Sequence, residues 1–426
     1  MNHNIINKNF LNGTRGRFFC PIFAAKMGQK NRPRVPFGGF VGKLYLCVVM
    51  AGVYVHIPFC ASRCSYCDFF STLRREEMGD CYVEALLAEA ALRRMELRGE
   101  AVKTLYVGGG TPSQLPLPLF VRLVDGLREG LGLDTVEEFT VEANPDDVTG
   151  EWCAGMVSLG VNRVSMGVQS FQDDILRFIG RRHTARQAIE AVDRLHDAGI
   201  NNVSIDLIYG LPGQTVESWS RSVDQAVALD PQHVSAYGLT YEEGTRLWHQ
   251  REREEVIEVP EEQCVEMYRI LVDKLQAAGF EHYEISNFAL PGFHSRHNSA
   301  YWDETPYLGL GAAAHSYDGV IRRYNPSDLK MYIDKVMSGE TAYQQEQLTR
   351  WERYDERVML GLRTARGVDA DVLRQEFGDE AWRHFVDVAE RHMALGNLEK
   401  KASRYVLTRD GVMLSDSVVR DLMWDA

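Results

Sequence analysis

From residue 53 onward, short runs rich in β-branched and aromatic residues alternate with longer stretches whose apolar positions return every three to four residues. A short apolar or alternating run fits a strand, and the three-to-four spacing gathers apolar side chains on one face of a helix. Strands are therefore expected at 53–57, 104–107, 138–141, 163–167, 203–208 and 234–239, with helices at 81–98, 117–131, 185–198, 216–229 and 261–278. Strand followed by helix, repeated, predicts a parallel sheet, and right-handed crossovers curl six such units into an open (β/α) partial TIM barrel of the α/β class. A seventh run at 280–287 reads as one more strand. From about residue 350 the pattern turns helical, at 352–363, 370–377 and 379–395. A β-wing at 398–407 and a last helix from Ser415 complete what reads as a winged-helix-like α+β domain. The domains expected are 50–280 for the barrel, 281–348 for a connecting segment and 349–426 for the terminal domain.

Barrels of this kind carry their chemistry at the C-terminal ends of the strands. The first strand ends in Cys60, Cys64 and Cys67, spaced C-x3-C-x2-C. Thiolates are soft ligands, and three in one loop can wrap an iron-sulfur cluster while leaving one of its irons open. A zinc site completed by His56 is the competing reading, although no second cysteine pair of the usual structural-zinc spacing is present. The other strand ends are also polar: Gly109-Gly110-Thr111, Glu142, Gln169, Asp206, then Tyr237 and Thr240. Glycines admit a ligand close to the backbone, and carboxylate and amide side chains can bond its hydroxyl and amino groups. Arg181, twelve residues after Gln169, offers a guanidinium to a carboxylate; a surface pair with Arg182 is the plainer account of it.

The cysteine spacing, with Tyr54 six residues upstream and an aromatic residue two past Cys67, resembles the radical S-adenosylmethionine (SAM) superfamily. The longer string Y-V-H-I-P-F-C…C-S-Y-C-D-F-F is similar to the branch that holds the oxygen-independent coproporphyrinogen III oxidases and the HemW-type heme chaperones. The resemblance covers nearly the whole chain from Met50. It implies a [4Fe-4S] cluster on Cys60, Cys64 and Cys67, with SAM chelating the open iron. Tyr54, Gly109, Gly110, Thr111, Glu142, Gln169, Arg181, Asp206 and Thr240 match the branch's SAM-contact positions.

Two functions of different classes follow from that resemblance: radical decarboxylation of coproporphyrinogen III, and carriage of heme to an acceptor protein. Oxidases of the branch carry a cysteine two residues past the last cluster cysteine, where this chain has Phe69. The chaperones carry phenylalanine there and a downstream H-N-x-x-Y-W, present here as His297, Asn298, Tyr301 and Trp302. The carrier reading is favoured, and coproporphyrinogen oxidase activity is not expected. His297 is then the expected axial ligand of heme iron, Tyr301 and Trp302 supply rings for the porphyrin face, and His315 is the reserve ligand. The string is expected to return toward the barrel mouth. For an arbitrary protein, a packed loop histidine explains His297 as well.

Charge narrows the partners. The net charge is −13, but residues 1–49 hold eight Lys or Arg and no Asp or Glu, so the rest stands at 39 basic against 60 acidic. Such a body disfavours nucleic acid, and the terminal domain, with 13 basic and 15 acidic side chains, does not depart from that. The remaining cysteines show no disulfide rhythm, which points to a reducing compartment, the cytoplasm. Residues 1–49 read as a disordered extension, an organelle transit peptide or a start assigned too early; a transit peptide would place the protein in an organelle matrix. The longest apolar run, 44–55, is shorter than the roughly 20 residues a membrane span requires. Peripheral membrane contact remains open.

Overall fold

A computed structural model describes residues 51–73, 76–97 and 101–424; the expectation for 1–49 lies outside the described residues. The six expected strands are present as β1 (Ala51–Ile57), β2 (Val102–Gly109), β3 (Glu138–Ala143), β4 (Arg163–Gln169), β5 (Asn202–Tyr209) and β6 (His233–Gly238). They are parallel and lie side by side in chain order. The open partial barrel is borne out.

Local chemistry explains the crossovers. The helix Leu117–Leu131 buries Phe120, Leu123, Val124 and Leu127, starts behind Pro116 and stops at Gly132, whose φ of +64° is left-handed. Ala185–Asp197 opens with a Thr184/Gln187 capping box, and Val216–Ala228 with a reciprocal pair of Thr215 and Ser218. On the strands, Val53, Val55, Val107, Val141, Val164 and Met166 point to the helices and are fully buried, each stabilising the fold by about 1.5–3 kcal/mol. Their neighbours at even steps face inward and are free to be polar. Two short helices, Gly150–Ser158 and Asp173–Phe178, lacked enough pattern to be expected as such, and a third, Arg246–Glu252, falls in the Glu- and Arg-rich stretch 241–262 that reads as a solvated connecting helix or loop.

Residues 281–348 do not merely connect two bodies. They build both edges of the barrel sheet. The expected strand at 280–287 is split into β7 (Glu281–Glu284) and β8 (Asn287–Ala289), an antiparallel pair on the β6 edge. On the other edge β9 (Tyr307–Leu310) runs parallel to β1, followed by the antiparallel β10 (His315–Tyr317), β11 (Ile321–Tyr324) and β12 (Gln344–Gln347). The twelve-stranded order is β12-β11-β10-β9-β1-β2-β3-β4-β5-β6-β8-β7. Leu308, Leu310, Phe288 and Tyr332 share the barrel's core.

The terminal domain has its own core around Tyr354, Phe377, Phe385 and Tyr405. Its helices Arg350–Leu362 and Ala370–Ala394 pack on a three-stranded sheet that includes the wing Leu398–Lys401 and Arg404–Leu407. Gly378, at φ +77°, kinks the long helix where two helices were expected.

Candidate functional site

The C-terminal ends of the strands surround one cavity of about 240 Å³. Cys60, Cys64, Cys67, Gly109, Gly110, Thr111, Glu142, Gln169, Arg181, Asp206 and Thr240 all line it. Phe69 lines it as well. Tyr54 does not; it stacks on Tyr106, 6.0 Å between ring centroids, with its hydroxyl 3.0 Å from His56 Nδ1.

The cysteine loop is pinned from both ends. Residues Phe59–Cys60 pair with Thr72–Leu73, and the Thr72 amide donates to the Pro58 carbonyl at 2.7 Å. Gly110 must be glycine, since a Cβ there would stand 2.8 Å from the Pro58 carbonyl group and 3.0 Å from Cys60 Sγ. Thr111 Oγ1 lies 3.4 Å from Cys60 Sγ, and Arg181 Nη1 donates to Cys64 Sγ at 3.5 Å. Burial pushes the Cys67 thiol up to about 12 and raises that of Cys60, so a metal that displaces these protons must release them.

The donor set fits an iron-sulfur cluster better than one ion. Three thiols on one loop that lines the cavity are soft donors suited to an iron-sulfur cluster with one iron left open. His56, the fourth ligand of the zinc reading, is turned away between the Tyr54 hydroxyl and the Phe70 carbonyl, 2.9 Å from its Nε2.

Below the cysteines the walls are polar and held. Glu142 accepts from the Tyr106 hydroxyl at 2.7 Å and from the Gly109 amide at 3.0 Å, and burial lifts its carboxyl to about 7. Asp206 accepts from Ser165 Oγ at 3.3 Å and is lifted by burial to about 6. Gln169 sits at φ +66°, an uncommon backbone state for a residue with a side chain, at the end of β4. Arg181 is half-buried in the link between the helices Asp173–Phe178 and Ala185–Asp197, not paired with Arg182 on a surface helix: its Nη2 donates to Asn144 Oδ1 at 2.6 Å and to the Gly167 carbonyl. Arg182 instead binds Asp146 and Asp147, at 3.0 and 2.9 Å.

The histidine string does not return to the mouth. Ser295 caps the helix Arg296–Trp302, and the amides of Arg296 and His297 donate to the two oxygens of Glu138, at 2.9 and 3.0 Å. Glu138 opens β3, so the helix is held at the opposite, N-terminal end of the barrel by a carboxylate at its positive terminus. His297 is 1% exposed; its Nδ1 is 2.8 Å from Thr104 Oγ1 and its Nε2 2.9 Å from the Tyr301 hydroxyl. Trp302 is buried, and Tyr301 packs edge-on against Tyr307. Only Asn298 of the string reaches the cavity lining. His315 lies on β10, half-buried, stacked on Tyr324 at 5.7 Å and kept neutral by burial, which lowers it to about 4. Among the described residues nothing hydrogen-bonds its ring.

Sequence reasoning missed Tyr106, Arg163, Ser165 and Ser235, which also line the cavity. The signal was available: they stand two, four or, for Arg163, six positions before the strand-end residues, an even spacing that keeps strand side chains to one face.

A parallel open barrel with a three-cysteine arch over a ring of polar strand ends is the architecture of a radical SAM protein. Residues 54–226 match the radical SAM superfamily, and residues 348–414 match the HemN C-terminal domain. The heme chaperone HemW of Lactococcus lactis is 40% identical over 325 residues, covering 76% of this chain and 84% of that protein. The heme chaperone HemW of Bacillus subtilis is 36% identical, covering 87% and 98%. The solved radical SAM enzyme coproporphyrinogen III oxidase (HemN) of Escherichia coli superposes with a TM-score of 0.78 at 23% identity, over 89% of this chain and 91% of that one. The chain belongs to the HemW heme chaperone family. No helix among the described residues is long and apolar enough to cross a membrane.

Proposed function

We propose that the protein is a heme chaperone, which binds heme and passes it to an acceptor protein, and that it does not oxidise coproporphyrinogen III. The observation that carries this reading is Phe69: an apolar ring lines the cavity where the oxidases of the branch carry a further cysteine. The membership in a family whose curated relatives are named heme chaperones supports it.

In this reading Cys60, Cys64 and Cys67, which all line the cavity, would hold the cluster. Gly109, Gly110, Thr111, Glu142, Gln169, Arg181, Asp206 and Thr240 then receive SAM, the glycines by close backbone approach and the carboxylates through its hydroxyl and amino groups. Tyr54 supports them from behind Tyr106. Bound there, SAM on such a cluster supplies radical chemistry; the residues named here bind and orient it.

Heme needs an imidazole with a lone pair to give. His297 is neutral, lowered by burial to about 3, but for it to coordinate iron through Nε2 the Tyr301 hydroxyl must leave. His315 has no such bond to break. The terminal domain lids or docks against a partner in this reading, and nucleic acid is not among its partners.

The test is anaerobic. Reconstituted protein is expected to hold about four irons with matching sulfide, to lose most of both in Cys64→Ser, and to titrate heme to saturation with a Soret band. His297→Ala and His315→Ala assign the ligand by which one alters that spectrum with the cluster intact. Absence of saturable heme binding, or turnover of coproporphyrinogen without a helper protein, would overturn the proposal.

A further inference from the structure

The cavity is lined by a buried positive charge that no group among the described residues hydrogen-bonds. Arg163 opens β4, lines the cavity and is 1% exposed. Among the described residues it has no hydrogen bond and no ion pair, and its Nε is buried without a partner. Thr140, opposite it on β3, is fully buried with its Oγ1 also unpartnered. A guanidinium in that state is costly unless an anion joins it. The nearby carboxylates ease the cost through space but are engaged elsewhere, Glu142 with Tyr106 and Gly109, Asp206 with Ser165. Asn298, brought in by the histidine helix, lines the same cavity and adds an amide.

We propose that Arg163 is the seat of a ligand carboxylate at the floor of the barrel and, resting on the heme reading above, that this carboxylate is a propionate of the tetrapyrrole. The planar fork of a guanidinium suits a carboxylate held by two parallel bonds. SAM also carries a carboxylate, but in the reading above its amino acid end would be held at the mouth, by the cysteines and Arg181. Arg181 bonds the Gly167 carbonyl, four residues up the strand from Arg163, a rise of roughly 13 Å. The two arginines thus divide the labour: one for the ligand at the mouth, one for an arm that reaches the floor.

The experiment titrates anaerobically reconstituted protein with heme and with heme dimethyl ester, in wild type, Arg163→Gln and Arg163→Lys, and measures SAM affinity in each. Wild type is expected to prefer the free acid by about tenfold or more, and Arg163→Gln to bring the two within about twofold by weakening the acid alone. Arg163→Lys, which keeps the charge but not the fork, retains part of the preference and covers the case in which the glutamine variant fails to fold. Equal binding of acid and ester by wild type overturns the proposal while leaving the heme reading intact. So does a loss by Arg163→Gln that is equal for acid and ester, the mark of an arginine that only balances Glu142 and Asp206. A loss of SAM affinity with the preference unchanged reassigns the seat to SAM. If wild type binds neither compound saturably, the heme reading itself falls.

Discussion

Thr104 Oγ1 stands 2.8 Å from His297 Nδ1, fastening the helix of the histidine string to the start of the second barrel strand. Gly52 makes the place for that ring: a Cβ there would lie 2.8 Å from Thr104 Oγ1 and 3.2 Å from the imidazole. The histidine most readily suspected of binding iron is therefore also a packed residue of the barrel floor, stacked on Tyr106 at 5.1 Å.

That burial sets a pH dependence. His297 is held near 3 by burial and by the charge of Arg163, against about 6.5 in an unfolded chain. Between those values the unfolded chain binds a proton that the folded one refuses, so this contribution is complete above pH 6.5 and is lost as pH falls toward 3. Buried Glu142 and Glu284, raised to about 7 and 8, act in the opposite sense and lose their contribution as pH rises. Comparing urea denaturation of wild type and His297→Gln isolates the histidine. The wild type should lose up to about 1.4 kcal/mol more per pH unit on acidification below 6.5.

Two of the cluster cysteines, Cys60 and Cys67, should be slow nucleophiles before metal is bound. Cys67 is raised to about 12 by burial and Cys60 is raised too, whereas Cys81 is exposed on its helix. Iodoacetamide at pH 8 should label Cys81 well before Cys60 and Cys67, because only the thiolate reacts. Peptide mass mapping of the metal-free protein reads the order; prompt labelling of Cys67 would contradict the buried loop.

Arg93 and Glu89 form a buried pair at 2.8 Å that ties the first helix to the added sheet edge. Arg93 donates to the Gly309 carbonyl and to Ser316 Oγ, while Glu89 accepts from Gly311, Asn325 and Tyr332. Removing one partner strands the other charge, so Arg93→Met should cost about 3–5 kcal/mol in denaturant unfolding. The loss should be accompanied by faster amide exchange in β9 to β11.

The terminal domain grips the segment just after the histidine helix. Arg357 binds Glu304 at 2.8 Å, Arg366 binds Asp303, and Arg322 of β11 binds Glu356 at 2.7 Å. Glu304 is left-handed, at φ +53°. The first two pairs are partly exposed and each is worth no more than about 1 kcal/mol. Arg357→Gln with Arg366→Gln should therefore cost no more than about 2 kcal/mol of global stability while speeding hydrogen exchange across 296–305. Unaltered exchange there would show that the barrel floor alone holds the helix.

Much of the site was legible because strand ends are local. Gly109, Glu142, Gln169 and Thr240 interrupt or follow apolar runs and Asp206 is a charge within one, and the structure brings all five to one cavity. Tyr106 and Arg163 were not picked, because a strand's interior reads as core until its inner face is known to line a chamber. The edge strands β9 to β12 escaped for a related reason. Runs of three or four residues, such as His315–Tyr317, are too short for a period.

By itself the sequence determined the alternation of strands and helices, hence the parallel barrel, and the placement of three thiols in one loop, since both depend on spacing within a few residues. Tertiary structure alone decided which end of the barrel the string from His297 to Trp302 occupies. That choice rests on Glu138 and Thr104, more than 150 residues earlier in the chain, and contacts between distant segments leave no periodic trace. It also decided that Arg163 lies buried with no hydrogen-bond partner among the described residues, for a charge can be seen to be unpaired only when everything packed around it is in place.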